Sequence, residues 1–444
     1  MHILLLSGGS GKRLWPLSNE IRSKQFLKVL PDGQGQKQSM VQRIFGQIQQ
    51  LPGLQSVTIA ASSSQKDQIQ AQLSGPFHLV LEPERRNTYP AIALACAYLR
   101  DQVGLGEEET VVVMPIDSYV EQDFFDRIHQ IDEILNTTQT DIVLLGAVPT
   151  EPLEQFGYIV PEKKEGQHLK VLRFSEKPSV TKAMTLIEEG ALWNCGVFGF
   201  KLHTLLMLLE NEFPGQVTYP YLYEHYQELE ATSFDYKVVE KAVRVRVIPH
   251  HGRWSDMGTW DALAKEIEEV FTGRVNLDES SKDTQVINEL NIPVVVMGLS
   301  QCMVVATYDG ILVTHKDKAS QLKAVMGSSP ARPMFEEKRW GHYQVMDQSV
   351  LSDGTFCITK KLTIEAGKKI SHQYHQKRKE IWTILDGEAL LLLDGAKSQV
   401  QSGSTVIIEP YQKHCLQAIT RVSMVEVQLG KELTEDDIVR LDEE

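Results

Sequence analysis

Short, wholly apolar runs alternate with longer amphipathic stretches through roughly the first 265 residues of this chain. Val57-Thr58-Ile59-Ala60-Ala61, Thr110 to Met114 and Ile142 to Val148 carry almost no strongly polar side chains. A strand with one wet face would alternate, so runs of this kind predict central strands covered on both faces. The first such strand begins at about His2. Between them, Thr88 to Val103 shows an Ala/Leu-rich face with Pro90 in its first turn, which predicts a helix with Thr88 as N-cap. Strand and helix patterns in alternation predict an α/β fold around a mostly parallel sheet.

The pattern changes near Gly273. Long helical periods stop, and Thr284 to Asp317 becomes a series of short β-branched runs separated by turns. Met326 to Pro333 (MGSSPARP) has the Gly, Ser and Pro content of a linker. Tyr343 to about Gln428 then alternates strands with glycine turns, as a small barrel or sandwich does. The tail ELTEDDIVRLDEE reads as a short acidic helix. Three domains are expected, at residues 1–268, 269–328 and 329–444, and no fixed-period repeat runs through them.

With 444 residues the chain is long enough for two or three cores. A net charge of −14 excludes a nucleic-acid binder that works through a global basic field. No apolar run reaches the roughly 20 residues of a membrane helix, and no basic segment followed by a longer apolar one marks a signal peptide. Cys96, Cys195, Cys302, Cys357 and Cys415 are odd in number and scattered, with no CxxC pair. The expectation is reduced thiols and a cytoplasmic protein.

Against that acidic background, the stretch LLLSGGSGKRLWPLS (Leu4 to Ser18) is a local reversal. Lys12, Arg13, Arg22, Lys24 and Lys28 face only Glu20 between residues 1 and 30. Ser7, Gly8, Gly9, Ser10 and Gly11 follow a strand, and glycines let backbone N–H groups close on an anion. The spacing fails the Walker A loop, because Gly11-Lys12 is followed by Arg13, and fails the dinucleotide fingerprint, because the third glycine position is Leu14. A polyphosphate or sugar-phosphate site fits; a glycine turn with solvated cations is the alternative.

The motif SGGSGKRLWPLSNEIRSKQFLKV resembles the signature of sugar-1-phosphate nucleotidyltransferases, specifically the mannose-1-phosphate guanylyltransferase branch, with Lys12 where that family carries Thr. Further resemblances follow in family order: EPERRNTYPAIALA (Glu82 to Ala95), VVVMPIDSYV (Val111 to Val120, with Ser118 where His is usual), FGYI (Phe156 to Ile159), FSEKP (Phe174 to Pro178), NCGVFGF (Asn194 to Phe200), SFDYKVVEK and WSDMGTWDAL (Trp254 to Leu263). The resemblance covers residues 1 to about 325. It implies a Rossmann-like nucleotidyltransferase domain and a reaction of GTP with α-D-mannose 1-phosphate that yields GDP-mannose and pyrophosphate. It implies Arg13, Lys24, Asp117, Lys177 and Asp256 as catalytic residues, with Asp117 and Asp256 holding Mg²⁺. Residues 7–12 together with Glu82, Asn87 and Thr88 would bind the nucleotide, and Gly157, Tyr158, Glu176 and Asn194 the sugar. Alone, Asp117 could be a turn carboxylate, Lys177 a solvated cation and Asp256 a helix cap. Another sugar 1-phosphate or nucleotide, or a sensor without turnover, would also use such a loop; retention of both aspartates speaks against the sensor. A homodimer is expected, with no nucleic-acid or membrane partner.

In the last domain, Gly367-x5-Gln373-x-His375-x4-Glu380-x6-Gly387 and Gly403-x6-Pro410-x3-His414 match the two spaced halves of a cupin motif. Gln373 and His375 alternate on one strand and point the same way. With Glu380 and His414 they make a mixed N/O set for a divalent ion such as Zn²⁺, Co²⁺ or Mn²⁺. The region also resembles the type II phosphomannose isomerase domain often fused to this transferase. Gln376, Lys377 and Ile381 replace polar residues of that family, which leaves an isomerase and a ligand-binding or oligomerising cupin both open.

Overall fold

The computed structural model describes residues 1–8, 12–19, 21–32, 34–163, 166–267, 269–326 and 333–441. It divides into two compact units. The first holds residues 1–11, 23–66 and 72–267; the second holds 12–22, 67–71 and 268–444.

In the first unit, besides a two-residue ribbon of Leu30–Pro31 with Lys37–Gln38, the strands are β1 (His2–Ser7), β2 (Ser56–Ser62), β3 (His78–Glu82), β4 (Thr110–Pro115), β5 (Ser118–Val120), β6 (Ile142–Ala147), β7 (Tyr158–Pro161), β8 (Leu169–Ser175), β9 (Leu192–Lys201), β10 (Val245–His250) and β11 (Trp254–Asp256). Nine of them form one sheet in the order β3-β2-β1-β4-β9-β6-β10-β8-β7. The run β3-β2-β1-β4 and the pair β6-β10 are parallel, as the apolar runs predicted. Strand β9 enters antiparallel between β4 and β6, and β8 pairs antiparallel with β10 and β7. The α/β expectation holds, but the sheet is mixed rather than mostly parallel.

The helix Thr88–Tyr98 is buried from Tyr89 to Ala97 on every face, which is why its sequence is Ala-rich rather than amphipathic. Its N-cap is Asn87, whose side chain accepts from the Thr88 amide; the cap expected at Thr88 lies one residue earlier. Residues Leu99–Val103 continue it as a π-helical turn that stops at Gly104 in the left-handed region. Among the described residues, no helix is long and apolar enough to cross a membrane. All five cysteines are free, and burial pushes the Cys96 and Cys195 thiols up.

In the second unit, β12 (Phe271–Thr272), β14 (Gln285–Asn288) and β16 (Cys302–Thr307) stack in parallel, and so do β13 (Val275–Leu277) and β15 (Val294–Val296). Parallel rungs of this kind make a β-helix-like connector out of the short β-branched runs. Strand β17 (Gly310–His315) closes it as a hairpin with β16. Residues 12–22 pack on this connector: Asn19 donates to Asp309 at 2.7 Å, and Arg22 makes a two-pronged pair with Glu289 at 2.8 Å.

Two further sheets follow. The strands are β18 (Phe335–Lys338), β19 (Gly341–Val350), β20 (Phe356–Ile364), β21 (Gln373–His375), β22 (Arg378–Asp386), β23 (Glu388–Leu393), β24 (Ala396–Gln401), β25 (Thr405–Ile408), β26 (His414–Ala418), β27 (Val422–Gly430) and β28 (Ile438–Arg440). They pair as β18-β19-β20-β27-β22-β25 and β24-β23-β26-β21-β28 around a core containing Trp382, Ile364 and Met424. The tail is not the helix expected. Glu435–Asp437 makes one 3₁₀ turn, and β28 then pairs with β21. Residues 327–332 of the linker lie outside the described residues.

Candidate active site

Three clusters of candidate residues form in the first unit and one in the second. The first cluster depends on a two-stranded ribbon. Strand β11 pairs antiparallel with β5, placing Asp256 opposite Ser118 and therefore beside Asp117. The side chain of Lys24 reaches both carboxylates, with Nζ 2.8 Å from Asp117 Oδ2 and 2.8 Å from Asp256 Oδ1. Burial works against the Lys24 charge, but the two carboxylates outweigh it and its pKa lies above the usual lysine range. Gly258 leaves the space this needs: a Cβ there would lie 3.0 Å from Asp256 Oδ1 and 3.2 Å from Lys24 Nζ. Aspartates 139 positions apart (256 − 117) thus converge on one point. Hard carboxylate oxygens meeting at one place are the donor set that Mg²⁺ takes.

Lys24 stands on the 3₁₀ turn Lys24–Phe26. That turn is fixed by a buried relay: Gln25 Nε2 donates to Ser7 Oγ (3.1 Å), Ser7 Oγ donates to Gln65 Oε1 (3.2 Å), and Gln65 Nε2 donates to Ser23 Oγ (3.1 Å). The Ser7 hydroxyl therefore holds the turn. Gln65 escaped sequence reasoning because a lone glutamine in a loop carries no signal.

The second cluster lines a cleft of about 160 Å³ at the carboxyl ends of β1, β2 and β3. Ser7, Gly8, Glu82, Asn87 and Thr88 lie in its wall, joined by Arg85, which the sequence analysis did not single out. The N-terminus of the buried helix opens there, where backbone N–H groups and the helix dipole favour an anion. Asn87 adopts φ 78° to make this corner. Half-buried Glu82 accepts from the Tyr226 hydroxyl at 2.8 Å; burial pushes its carboxyl up, against the pull of Tyr226 and Arg85. Gly9, Ser10, Gly11 and the Lys12 side chain lie outside the described residues. Arg13 is exposed on the turn Lys12–Leu14 of the second unit.

The third cluster gathers Gly157, Glu176, Lys177 and Asn194. A Cβ on Gly157 would come within 2.5 Å of Glu176 Oε2 and 3.4 Å of Asn194 Cβ, so only glycine leaves the two polar groups room. Lys177 Nζ donates to Glu176 Oε1 at 2.6 Å. Strand β9 changes register between Asn194 and Phe198, and the Gly196 amide inside that bulge donates to Asn194 Oδ1 at 3.1 Å. Asn194 Nδ2 donates to Asp235 Oδ1 at 2.7 Å. Asp235 was quoted within a motif but not expected in the site. Tyr158 is a correction: its side chain is fully buried and its hydroxyl is held by the Leu153 backbone, so it presents nothing to a sugar. Phe156 packs on Trp193 and Trp254 at 5.1 and 5.2 Å between ring centres, joining this cluster to the strand that carries Asp256.

The fourth cluster lies inside the barrel. One donor atom each from His375, Glu380 and His414 falls within 4.8 Å of the others, and all three side chains are buried. His414 Nδ1 faces the Gln412 carbonyl at 2.9 Å, which leaves Nε2 buried without a partner. Burial, then Arg378, depresses the His375 pKa, and burial also depresses that of His414, so both rings are neutral and able to ligate. Burial and Glu426 push the Glu380 carboxyl up; Arg378 and Lys360 oppose them. Arg378 Nε, Trp382 Nε1 and Gln428 Nε2 each donate to Glu380 at 3.1 Å. This set fits a divalent ion. Gln373, the fourth expected ligand, brings its side-chain amide to 3.4 Å from His375, at the same cluster, and its carbonyl oxygen accepts from Ser371.

Residues 2–272 match the family model described as nucleotidyl transferase, and residues 333–443 match mannose-6-phosphate isomerase C-terminal. A mannose-1-phosphate guanylyltransferase of Salmonella muenchen is 29% identical, with 99% of this chain and 97% of that protein aligned. The alginate biosynthesis protein AlgA of Pseudomonas putida is 29% identical over 99% of this chain and 95% of its own length. Among solved structures, mannose-1-phosphate geranyltransferase from Thermus thermophilus superposes with a TM-score of 0.63 at 29% identity, covering 73% of this chain and 98% of that one.

Proposed function

This chain belongs to the nucleotidyl transferase family, which its residues 2–272 match, and on that premise we propose that it joins GTP to α-D-mannose 1-phosphate, forming GDP-mannose and pyrophosphate. The observation that carries the reading is the meeting of Asp117 and Asp256 on one point at Lys24. The guanylyltransferase name of a relative aligned over nearly the whole chain supports the choice of substrates.

In this reaction a sugar-phosphate oxygen attacks the α-phosphorus of the triphosphate, and the bond to the β-phosphate oxygen breaks as pyrophosphate leaves. The nucleophile is already an anion, so no strong base is required, and catalysis rests on positioning and charge. Asp117 and Asp256 would hold Mg²⁺, which when bound supplies positive charge to the reacting phosphate. Lys24 turns from its carboxylates to the triphosphate. The helix N-terminus at Thr88 holds the remaining phosphates, Glu82 faces the base, and Lys177 meets the sugar phosphate. Glu176 and Asn194 orient the ring.

The test is pyrophosphate release with GTP, mannose 1-phosphate and Mg²⁺, run beside a panel of other triphosphates and sugar phosphates. Asp117→Ala and Asp256→Ala are expected to lower kcat on the order of 10²–10³-fold. No release with any pair, or full release by both variants, overturns the reading.

A second reading concerns the barrel, where buried and unpartnered His414 Nε2 favours an ion-holding domain. Aldose–ketose conversion also needs a proton shuttle. Conversion of fructose 6-phosphate with Co²⁺, Mn²⁺ or Zn²⁺, lost in His375→Ala, identifies an isomerase; none with any of the three identifies an ion-binding module.

A further inference from the structure

Three serines from three separate segments meet on one buried glutamine. Ser7 ends β1, Ser62 ends β2, and Ser23 stands just before the turn Lys24–Phe26. Gln65 is 1% exposed, and its side-chain amide reaches all three. The Ser62 backbone amide lies 3.4 Å from Gln65 Oε1. A backbone N–H can only donate, so the oxygen faces Ser62 and Ser7, and the NH₂ faces Ser23. Ser7 Oγ is engaged on both sides: it gives its one hydrogen to Gln65 and accepts from Gln25 Nε2. Ser7, Ser23, Gln25 and Gln65 are all buried, so water does not replace a partner that is lost.

The two ends of this relay serve different parts of the site. Ser7 and Ser62 lie in the wall of the nucleotide cleft. Ser23 precedes Lys24, whose ammonium stands between Asp117 and Asp256. Lysine carries its charge on a long flexible stem, so the reach of the ammonium is set by where the backbone beneath it is held. Gln65 holds that backbone against the cleft wall, and being buried it acts through its partners.

We propose that Gln65 is a positioning residue of the transfer: its amide fixes the Lys24 turn to the wall of the nucleotide cleft, so that the ammonium can leave its aspartates and meet a bound triphosphate while the turn stays in place. This rests on the transfer reaction proposed above. The chemistry of the side chain supports the assignment, since an amide accepts from Ser7 and donates to Ser23 at once, whereas leucine does neither and an ionised glutamate has no donor.

The experiment measures pyrophosphate release by wild type, Gln65→Leu, Lys24→Met and the double variant, with GTP, mannose 1-phosphate and Mg²⁺. Gln65→Leu is expected to lower kcat by about 10–100-fold, the loss that a misplaced charged group brings, with KM for mannose 1-phosphate changed by less than about 3-fold. In the Lys24→Met background the same substitution is expected to cost less than about 3-fold, because the group it positions is already gone. A second readout needs no turnover. Without substrates, manganese titration followed by electron paramagnetic resonance is expected to show several-fold tighter binding to Gln65→Leu than to wild type, because a loosened Lys24 competes less for Asp117 and Asp256. Equal losses of kcat in both backgrounds make Gln65 a packing residue and overturn the proposal. No loss of kcat overturns it as well, and so does manganese affinity equal to that of wild type. If Gln65→Leu fails to fold, Ser23→Ala cuts the same relay at its next bond and carries the test with the same expectations. A wild type that turns over normally while this pattern fails sinks this inference alone. A wild type inert with every triphosphate and sugar 1-phosphate sinks the transfer reading and this inference together.

Discussion

A single ammonium group organises the first cluster. Lys24 bonds two carboxylates at the place where the same carboxylates would hold a divalent ion, so cation and lysine compete for them. Lys24→Met removes the competitor and leaves two aspartates facing each other. Manganese titration followed by electron paramagnetic resonance is expected to show several-fold tighter binding to this variant without substrates, while pyrophosphate release falls. Unchanged manganese affinity would show that the contact does not compete. Asp235 makes the opposite case, a carboxyl that burial and the charge of Glu176 push up. Its pKa is raised to about 6, above its unfolded value, so the folded state keeps the proton longer and loses stability as pH rises through that window. Asp235→Asn removes the loss. The stability gained by this variant over wild type is expected to grow by roughly 1–3 kcal/mol between about pH 4 and pH 7, read by urea denaturation at both. Lys24, Asp117 and Asp256 were legible because each sits in a dense motif. Asp235 was not, because an aspartate near a helix start reads as a cap, and Tyr158 misled because a motif does not say which way a side chain points.

At the scale of elements, apolar runs announced where strands lie but not which way they run. Strand β9 has the same apolar texture as β4 and β6, and its antiparallel entry between them comes from chain connectivity, which periodicity does not encode. The tail shows a different limit. Three acids at Glu435–Asp437 favour a helix start, yet Asp437 instead accepts from the backbone amides of Gln376 and Lys377 at 3.0 and 3.2 Å, and Ile438-Val439 pairs with β21. Tertiary hydrogen bonds outweighed local propensity. The buried helix was legible except at its first residue, where Asn87 takes over as cap at φ 78°. Left-handed backbone suits Gly and Asn. Asn87→Ala is therefore expected to destabilise the protein by about 1–2 kcal/mol, and Asn87→Gly by a few tenths, in thermal unfolding. Equal losses would mean that backbone strain contributes nothing there.

For the whole molecule, the change of texture near Gly273 was legible, but the membership of residues 12–22 in the second unit was not. That membership depends on pairs such as Asn19–Asp309, 290 positions apart, and no local pattern reports them. The same holds for the barrel. The cupin spacing placed His375, Glu380 and His414 together, yet whether they hold an ion depends on what surrounds them. Arg378 bonds Glu380 and Lys360 lies 3.9 Å from Glu426, so a buried cation already stands at each carboxyl group. An added divalent ion therefore has to be held by the neutral imidazoles as much as by charge, and His414 Nε2 becomes decisive because it is buried with no partner of its own. His414→Ala in the full chain is expected to abolish uptake of about one Zn²⁺, Co²⁺ or Mn²⁺ per chain, measured by elemental analysis after dialysis. Glu426→Gln is expected to weaken that uptake far less, since Glu426 meets Trp382, Gln428 and Lys360 rather than the ion. Retention of the ion by His414→Ala would mean that the buried histidine pair is packing, and that the barrel recognises its ligand without a metal.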